Sequence, residues 1–131
     1  MSPSRITPRI CMILGVLVGC TEVPVVSNPA AATESAKPVL CVSKSQCDVF
    51  WRRAQAWVAN NSEYRLQTVT DTVIETHGPT IGRTGLAYRV TRVPDAKDGA
   101  GIYVLASCSN AFGCSPEPSA AVAAFKQFVV N

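Results

Sequence analysis

The feature that most constrains the fold is a strict alternation of side chains between Tyr64 and His77. The odd-numbered positions carry most of the charge, and the even-numbered positions carry mainly apolar and β-branched residues: Tyr64, Leu66, Thr68, Thr70, Thr72, Ile74 and Thr76. A period of two over this length is typical of a β-strand with one buried face. The segment predicts one long strand that ends at Gly78-Pro79, with its other face open to water or to a partner.

Two further strands are predicted after this segment. Residues 86–93 place Leu86, Tyr88 and Val90 on one face, and residues 102–108 are apolar on both faces, which predicts a more deeply buried strand. The glycine-rich segments between the strands, residues 78–85 and 95–101, indicate loops.

Helical periodicity flanks the strands on both sides. Residues 47–60 follow a candidate N-cap at Ser45, and residues 120–130 follow a candidate N-cap at Ser119. The first helix carries an apolar stripe of Phe50, Ala54, Trp57 and Val58 with Trp51 beside it, and the second a stripe of Val122, Phe125 and Val129. Aromatic stripes at this spacing favour a core position over a recognition surface.

These elements predict an α+β fold with a three-stranded antiparallel sheet. An N-terminal and a C-terminal helix would pack on one face of that sheet, and two local disulfides would staple it. The helix-covered face is expected to carry Tyr64, Leu66, Ile74, Leu86 and Tyr88.

The first nineteen residues have the organisation of an export signal. Arg5 and Arg9 give a positive start, and residues 10–18 form an apolar run ahead of Gly19. An apolar run of about 7 to 15 residues is typical of a secretory signal, whereas a membrane-spanning helix needs about 20. Residues 1–19 are therefore predicted to be removed as a signal peptide; an uncleaved anchor or an ordinary secretory signal is the alternative.

The end of this segment, Leu17-Val18-Gly19-Cys20, resembles the lipobox of bacterial lipoproteins. The resemblance is confined to residues 1–20, and the globular part resembles no family that we recognise. It implies that Cys20 is acylated, with palmitate among the chains, so that lipid holds the mature protein to a membrane. Thr21 stands where an aspartate tends to mark inner-membrane retention, so the resemblance implies the outer membrane, with the domain facing the periplasm.

Removal of residues 1–19 changes what the charge implies. Lys plus Arg falls from 12 to 10 with the loss of Arg5 and Arg9, while Asp plus Glu stays at 9. A nearly neutral chain gives no indication of nucleic-acid binding, which needs cations clustered on one face. Residues 20–38, with three prolines and many small residues, predict a lipidated cysteine and a disordered tether; residues 39–131 predict one small domain.

Four cysteines lie in the predicted domain. Cys41, Cys47, Cys108 and Cys114 form two equally spaced pairs, and thiols of exported chains oxidise. We expect disulfides between Cys41 and Cys47 and between Cys108 and Cys114. A four-cysteine zinc site is the alternative, although zinc ligands are usually spaced by two to four residues. No cofactor and no resident metal are expected.

Three other features offer ligand or catalytic chemistry. Glu75 and His77 share a strand face with side chains about 7 Å apart, close to the range of an acid–base pair, although a surface histidine at a strand end is the commoner outcome. The loop at residues 78–85 has glycines and Arg83, but it joins strands, whereas a phosphate cradle opens a helix. Asp95 and Asp98 lack the regular acidic repeat of calcium loops, so we expect them to be solvated.

The loop from Cys108 to Cys114 is a candidate binding element. If a disulfide closes it, the preformed loop binds with little loss of conformational entropy, and Phe112 near its tip is a candidate anchor for a protein partner. Of the two readings we favour the other, in which Phe112 folds inward over a helix end.

Three hypotheses for function follow. The first is a membrane-anchored envelope lipoprotein, a non-enzymatic interaction or structural module that binds an envelope protein through the open polar sheet face and the edge strands. The second is an inhibitor or binder of a soluble target through the Cys108–Cys114 loop. The third is a small periplasmic hydrolase that uses Glu75 and His77.

Overall fold

The computed structural model describes residues 29–131; the predicted signal peptide, Cys20 and the first part of the predicted tether lie outside these residues. Within residues 29–131 the chain forms three helices and five strands. In chain order they are α1 (Pro29–Ala36), β1 (Val39–Cys41), α2 (Lys44–Asn61), β2 (Leu66–Val69), β3 (Val73–Thr76), β4 (Ala87–Pro94), β5 (Ala100–Ser107) and α3 (Pro118–Val130).

The five strands of the described region form one antiparallel sheet in the spatial order β1-β5-β4-β3-β2. The prediction of a three-stranded sheet is therefore wrong, although the α+β class is right. The alternating segment is two strands, β2 and β3, which pair with Leu66 opposite Thr76 and Val69 opposite Ile74.

A threonine turn divides that segment. Thr70 Oγ1 accepts hydrogen bonds from the backbone amides of Thr72 at 3.2 Å and Val73 at 2.9 Å, and the Thr70 amide donates to the Val73 carbonyl at 2.8 Å. Threonine hydroxyls that accept from amides two or three residues later stabilise turns. The same threonines that keep the alternation regular thus supply the turn, so the period of two did not reveal the break.

β1 was also absent from the prediction. Val39–Cys41 pairs with residues 100–102 of β5 at one edge of the sheet, and the Cys41–Cys47 disulfide joins this strand to the first turn of α2. Three residues are too few to display a strand period. The sheet has five strands and not three because β1 was not predicted and because one predicted strand is in fact β2 and β3.

α2 and α3 cover one face of the sheet, and their apolar stripes form the core with it. All the stripe residues predicted for the two helices are buried. The Trp57 ring lies edge-on to the rings of both Tyr88 and Phe125, with centroids 5.4 Å apart in each pair. Such T-shaped contacts are favourable beyond the burial of area. The aromatic stripe of α2 is therefore core, as predicted.

Both long helices begin earlier than predicted. The N-cap of α2 is Ser43, whose hydroxyl accepts from the Gln46 amide at 3.2 Å. The N-cap of α3 is Glu117, whose carboxylate accepts from the Ser119 hydroxyl and from the Ala120 amide. These hydrogen bonds, that from Ser119 above all, lower the pKa of Glu117 below its ordinary value. Serine is a commoner cap than glutamate, which is why the sequence favoured Ser119.

α1 lies within the segment that was predicted to be a disordered tether. The Lys126 ammonium of α3 donates to the Glu34 carbonyl, and Lys37 forms an ion pair with the Glu34 carboxylate at 2.6 Å. The last part of the predicted tether is therefore helical and docks on α3.

Candidate functional site

The helices of the described region leave one face of the sheet uncovered, which we call the open face. The register places Arg89 opposite Leu105 and Thr91 opposite Tyr103 on this face, and it places Leu40 beside Gly101 at the β1 edge. Side chains alternate between the two faces of a strand, so these residues point away from the helices. The open face therefore extends across all of the central strands.

The half of the open face formed by β1, β5 and the end of β4 is apolar. Leu40 and Leu105 have 70% and 64% of their surface exposed, and Val93 and Tyr103 are about half exposed. A Cβ atom at Gly101 would lie 3.2 Å from the Tyr103 ring, so the ring lies over this glycine, between Leu40 and Val93. We call Leu40, Val93, Tyr103 and Leu105 the apolar patch. The prediction that residues 102–108 form a more deeply buried strand than the others is wrong for this side.

The other half of the open face is polar. Glu75 lies opposite Arg89 in the register, and their side chains form an ion pair with Nη1 and Oε1 2.9 Å apart. His77, one residue beyond β3, is exposed, and its imidazole makes no hydrogen bond to any residue in 29–131. Glu75 is thus held by Arg89 and not by His77. The acid–base pair of the hydrolase hypothesis is not assembled among the residues that the structure describes.

A second exposed feature is built from two loops, residues 78–85 and 108–115, which we call the loop pair. The Cys108–Cys114 disulfide closes one loop. The Gly82 amide donates to the Ser109 carbonyl at 2.6 Å, and Asn110 Nδ2 donates to the Gly82 carbonyl at 2.8 Å. Gly82 has φ +82°, a conformation that glycine adopts without steric penalty. The Ser115 amide also donates to the Thr84 carbonyl at 3.0 Å, so the two loops brace each other.

The loop pair exposes two large apolar side chains. Phe112 is fully exposed, so the favoured expectation that it folds inward over a helix end is wrong, and Ile81 on the other loop is 88% exposed. Arg83 is mostly exposed, with Nη2 3.7 Å from the Glu63 carboxylate. Sequence reasoning identified Phe112 but missed Ile81. The available signal was a lone isoleucine in a loop that is otherwise glycine, proline, threonine and arginine.

Asp48 links α2 to the sheet. Its carboxylate lies 2.8 Å from Lys44 Nζ and 3.0 Å from Arg92 Nη2 on β4. Hydrogen bonds from Lys44 and then from Arg92 lower the pKa of Asp48 below its ordinary value. The Arg92 side chain is only 16% exposed, so its ion pair with Asp48 fastens the helix layer to the sheet, while Lys44 remains 80% exposed.

The remaining candidate ligand sites have structural explanations. The Asp95 carboxylate accepts from the amides of Lys97 at 2.8 Å and Gly99 at 3.2 Å, which is the pattern of a turn. The four domain cysteines are paired in the two local disulfides that the sequence favoured, so they are not thiolate ligands for zinc. Over residues 29–131, no group of three or more His, Cys, Asp or Glu side chains is placed to hold a metal ion.

Comparison with known proteins gives no relative: no protein-family model, no curated protein and no solved structure matches the chain. None of the helices between residues 29 and 131 combines the length and the apolar character needed to cross a bilayer. The features of residues 29–131 that bear on function are therefore the two exposed surfaces, the apolar patch and the loop pair.

Proposed function

We propose that this chain is a non-enzymatic interaction module of a bacterial envelope. Lipid on Cys20 holds it at the outer membrane, facing the periplasm, and the apolar patch binds another envelope protein. The observation that carries the proposal is the patch itself, in which a tyrosine ring lies over Gly101 between exposed Leu40 and Val93. Contiguous apolar surface of this kind is typical of interaction sites.

The shape and charge of the open face indicate the class of partner. A twisted sheet presents a broad and shallow surface, so it fits an extended face of another protein better than a small molecule, which needs a concave pocket. Arg89 and Glu75 neutralise each other beside the patch. The nearly neutral mature chain gives no reason to expect nucleic acid. A partner with a broad apolar surface and little net charge fits these features.

The free energy that the apolar patch can contribute, compared with the cost of association, favours a partner in the same compartment. Full burial of one large apolar side chain contributes about 1.5–3 kcal/mol, and the patch residues are already partly buried, so the four together offer roughly 4–7 kcal/mol. Association from solution costs about 4–15 kcal/mol in lost freedom. Anchoring both proteins to one envelope raises the effective concentration and reduces that cost. The patch is therefore adequate for a tethered module.

The patch can be tested by photo-crosslinking in intact cells of the source. A photoreactive phenylalanine derivative replaces Tyr103 in the full chain, and a second protein carries it at Phe128, a half-exposed residue of α3 on the helix layer. We expect one discrete protein adduct from position 103 and none from position 128. Leu105→Ser in the same chain should remove the adduct. Equal adducts from both positions, or none from position 103, would contradict the proposal.

The anchor is tested separately by mass spectrometry of the purified mature protein. We expect the chain to begin at Cys20 and to carry the mass of several acyl groups, and Cys20→Ser should move the protein from the membrane to the soluble fraction. A chain that begins at Met1 with unmodified Cys20 would contradict this part of the proposal and leave the patch untouched.

A further inference from the structure

We infer that the loop pair is a second binding element, separate from the apolar patch, which inserts Phe112 and Ile81 into an apolar pocket of a folded protein. The two surfaces lie toward opposite ends of β5. Gly101, beneath the Tyr103 ring, stands near its start and Cys108 just beyond its end, about 24 Å along an extended strand, whereas Leu105 is the patch residue nearest to the loop pair, about 10 Å from Cys108. Loss of binding at one surface is therefore distinguishable from loss at the other.

The loop pair exposes two large apolar side chains that contribute nothing to the core of the domain. Phe112 is fully exposed and Ile81 nearly so. Each belongs to a different loop, and the strand-like bridge between Ile81 and Ser109 brings the two loops side by side. Single exposed apolar residues are common, but two large ones on adjoining loop tips form a convex anchor of the kind that fills a pocket.

The loops are held in place before any partner arrives. Besides the disulfide and the hydrogen bonds through Gly82, Asn110 Oδ1 accepts from the Phe112 amide at 2.8 Å, and the Asn110 carbonyl accepts from the Gly113 amide at 3.3 Å. Gly113 has φ +110°, which favours glycine at this turn. A rigid loop loses little conformational entropy on binding, so more of the energy of burying its anchors appears as affinity.

Backbone polarity favours a protein pocket over a lipid bilayer. Within the described part of the chain, the carbonyl oxygens of Ile81, Ala111 and Phe112 accept no hydrogen bond. Unpaired carbonyls are costly in hydrocarbon, where no donor replaces water. A folded partner can supply N–H donors at the mouth of a pocket while its interior receives the two side chains.

The charge of Arg83 indicates a further property of the partner. Arg83 is the one ionisable side chain in residues 78–85 and 109–115, and its contact with Glu63 is a long 3.7 Å. A cation beside an apolar anchor fits a pocket that carries a carboxylate at its rim. The inferred partner is thus a folded protein with an apolar pocket, amide donors at its mouth and an acidic rim.

The test again uses the full chain in cells of the source, with the photoreactive phenylalanine derivative now at position 112 and the control at Phe128. We expect a discrete adduct from position 112 whose partner peptide maps to an apolar pocket. Ile81→Ser should reduce its yield about tenfold or more, because a lost anchor of this size changes binding by at least that factor. Leu40→Ser, at the patch residue opposite Gly101, should leave the yield unchanged.

Three results would overturn the inference: adducts with lipid alone, no adduct above that at position 128, or an adduct that persists undiminished with Ile81→Ser. Arg83→Glu gives a second and independent check. It should weaken the adduct, whereas Arg83→Lys should largely preserve it, and equal yields from both variants would remove the acidic rim from the inference. Since all these side chains are exposed, unchanged thermal unfolding will show that each variant is folded.

Discussion

The two disulfides allow a matched test of how the fold is stabilised. Cys41–Cys47 and Cys108–Cys114 each join residues six apart, so both close loops of the same length. They differ in environment, because Cys41 and Cys47 are buried in the core whereas Cys108 and Cys114 are half-buried. Two double variants, each with both cysteines of one bridge replaced by alanine, separate loop closure from core packing.

The expected losses can be worked out from loop length and burial. Closing a loop of seven residues reduces the entropy of the unfolded chain by an amount worth about 2.4 kcal/mol at 25 °C. The Cys108→Ala/Cys114→Ala variant should lose about this much. The Cys41→Ala/Cys47→Ala variant also leaves two core positions each short of about one methyl-sized group, which adds about 1 kcal/mol apiece. Its loss should reach about 4.5 kcal/mol.

Urea unfolding followed by far-ultraviolet circular dichroism measures both losses against the unmodified domain. For a domain of this size a loss of 2.4 kcal/mol corresponds to a fall in Tm of about 10–20 °C, which thermal unfolding checks. Equal losses in the two variants would refute the assignment of a packing role to the buried bridge. A larger loss for the Cys108–Cys114 bridge would show that the loop pair contributes to the core.

Three further predictions concern the core and the helix–sheet contact. Phe125→Ala, at a fully buried ring, should cost about 3–5 kcal/mol in urea unfolding, while Phe128→Ala on the exposed side of the same helix should cost under about 1 kcal/mol. In the parent protein the Tyr88 amide donates to Thr76 Oγ1 at 2.9 Å, and Thr76→Val removes this acceptor. Thr76→Val should therefore lower the free energy of unfolding by about 1–3 kcal/mol, whereas Thr76→Ser, which keeps the hydroxyl, should retain most of the stability. Because the pKa of Asp48 is lowered in the folded protein, its contribution is present above its ordinary pKa of 3.8 and is lost as pH falls through the folded value. Asp48→Asn should therefore be less stable than the parent at pH 7, and the gap in urea midpoints should narrow toward pH 2; a gap that widens in acid would refute the assignment.

The core positions of α2 and α3 could be predicted from the sequence because they follow from periodicity. The stripe of α2 and the stripe of α3 recur every three or four residues, and a helix must bury such a stripe against another layer. Trp57 and Phe125 accordingly meet in the core. The local disulfides followed in the same way from the short and equal spacing of the cysteines.

The number of strands could not be predicted from periodicity alone. Alternation indicates which face of the sheet a side chain occupies. It does not reveal a tight turn when the turn residues are themselves β-branched, as at Thr70 and Thr72. Which face of a strand is covered also depends on where the helices pack. Leu105 is as apolar as its buried neighbour Ile102, and the Tyr103 ring is largely so, yet both are exposed because the two long helices lie on the opposite side of the sheet.

The exposed tip of the loop pair could not be predicted from either loop alone. The cysteine spacing indicated a closed loop with Phe112 on it, but the direction of that ring depends on contacts between loops that lie far apart in sequence. Gly82 and Asn110 make these contacts across 28 positions. Nothing in either loop alone shows that the other will stand beside it, so Ile81 became a candidate only in the folded chain.

The apolar patch can be tested most directly on the unmodified protein by hydroxyl-radical footprinting. Oxidation of Tyr103 and Leu105 is measured by mass spectrometry in membranes of the source cells and again in the purified chain, with half-exposed Phe128 as the internal reference. We predict that oxidation of Tyr103 and Leu105 falls several-fold in the membranes while that of Phe128 stays the same. Equal oxidation of Tyr103 in both samples would contradict the proposal that the open face of the sheet is covered by a partner.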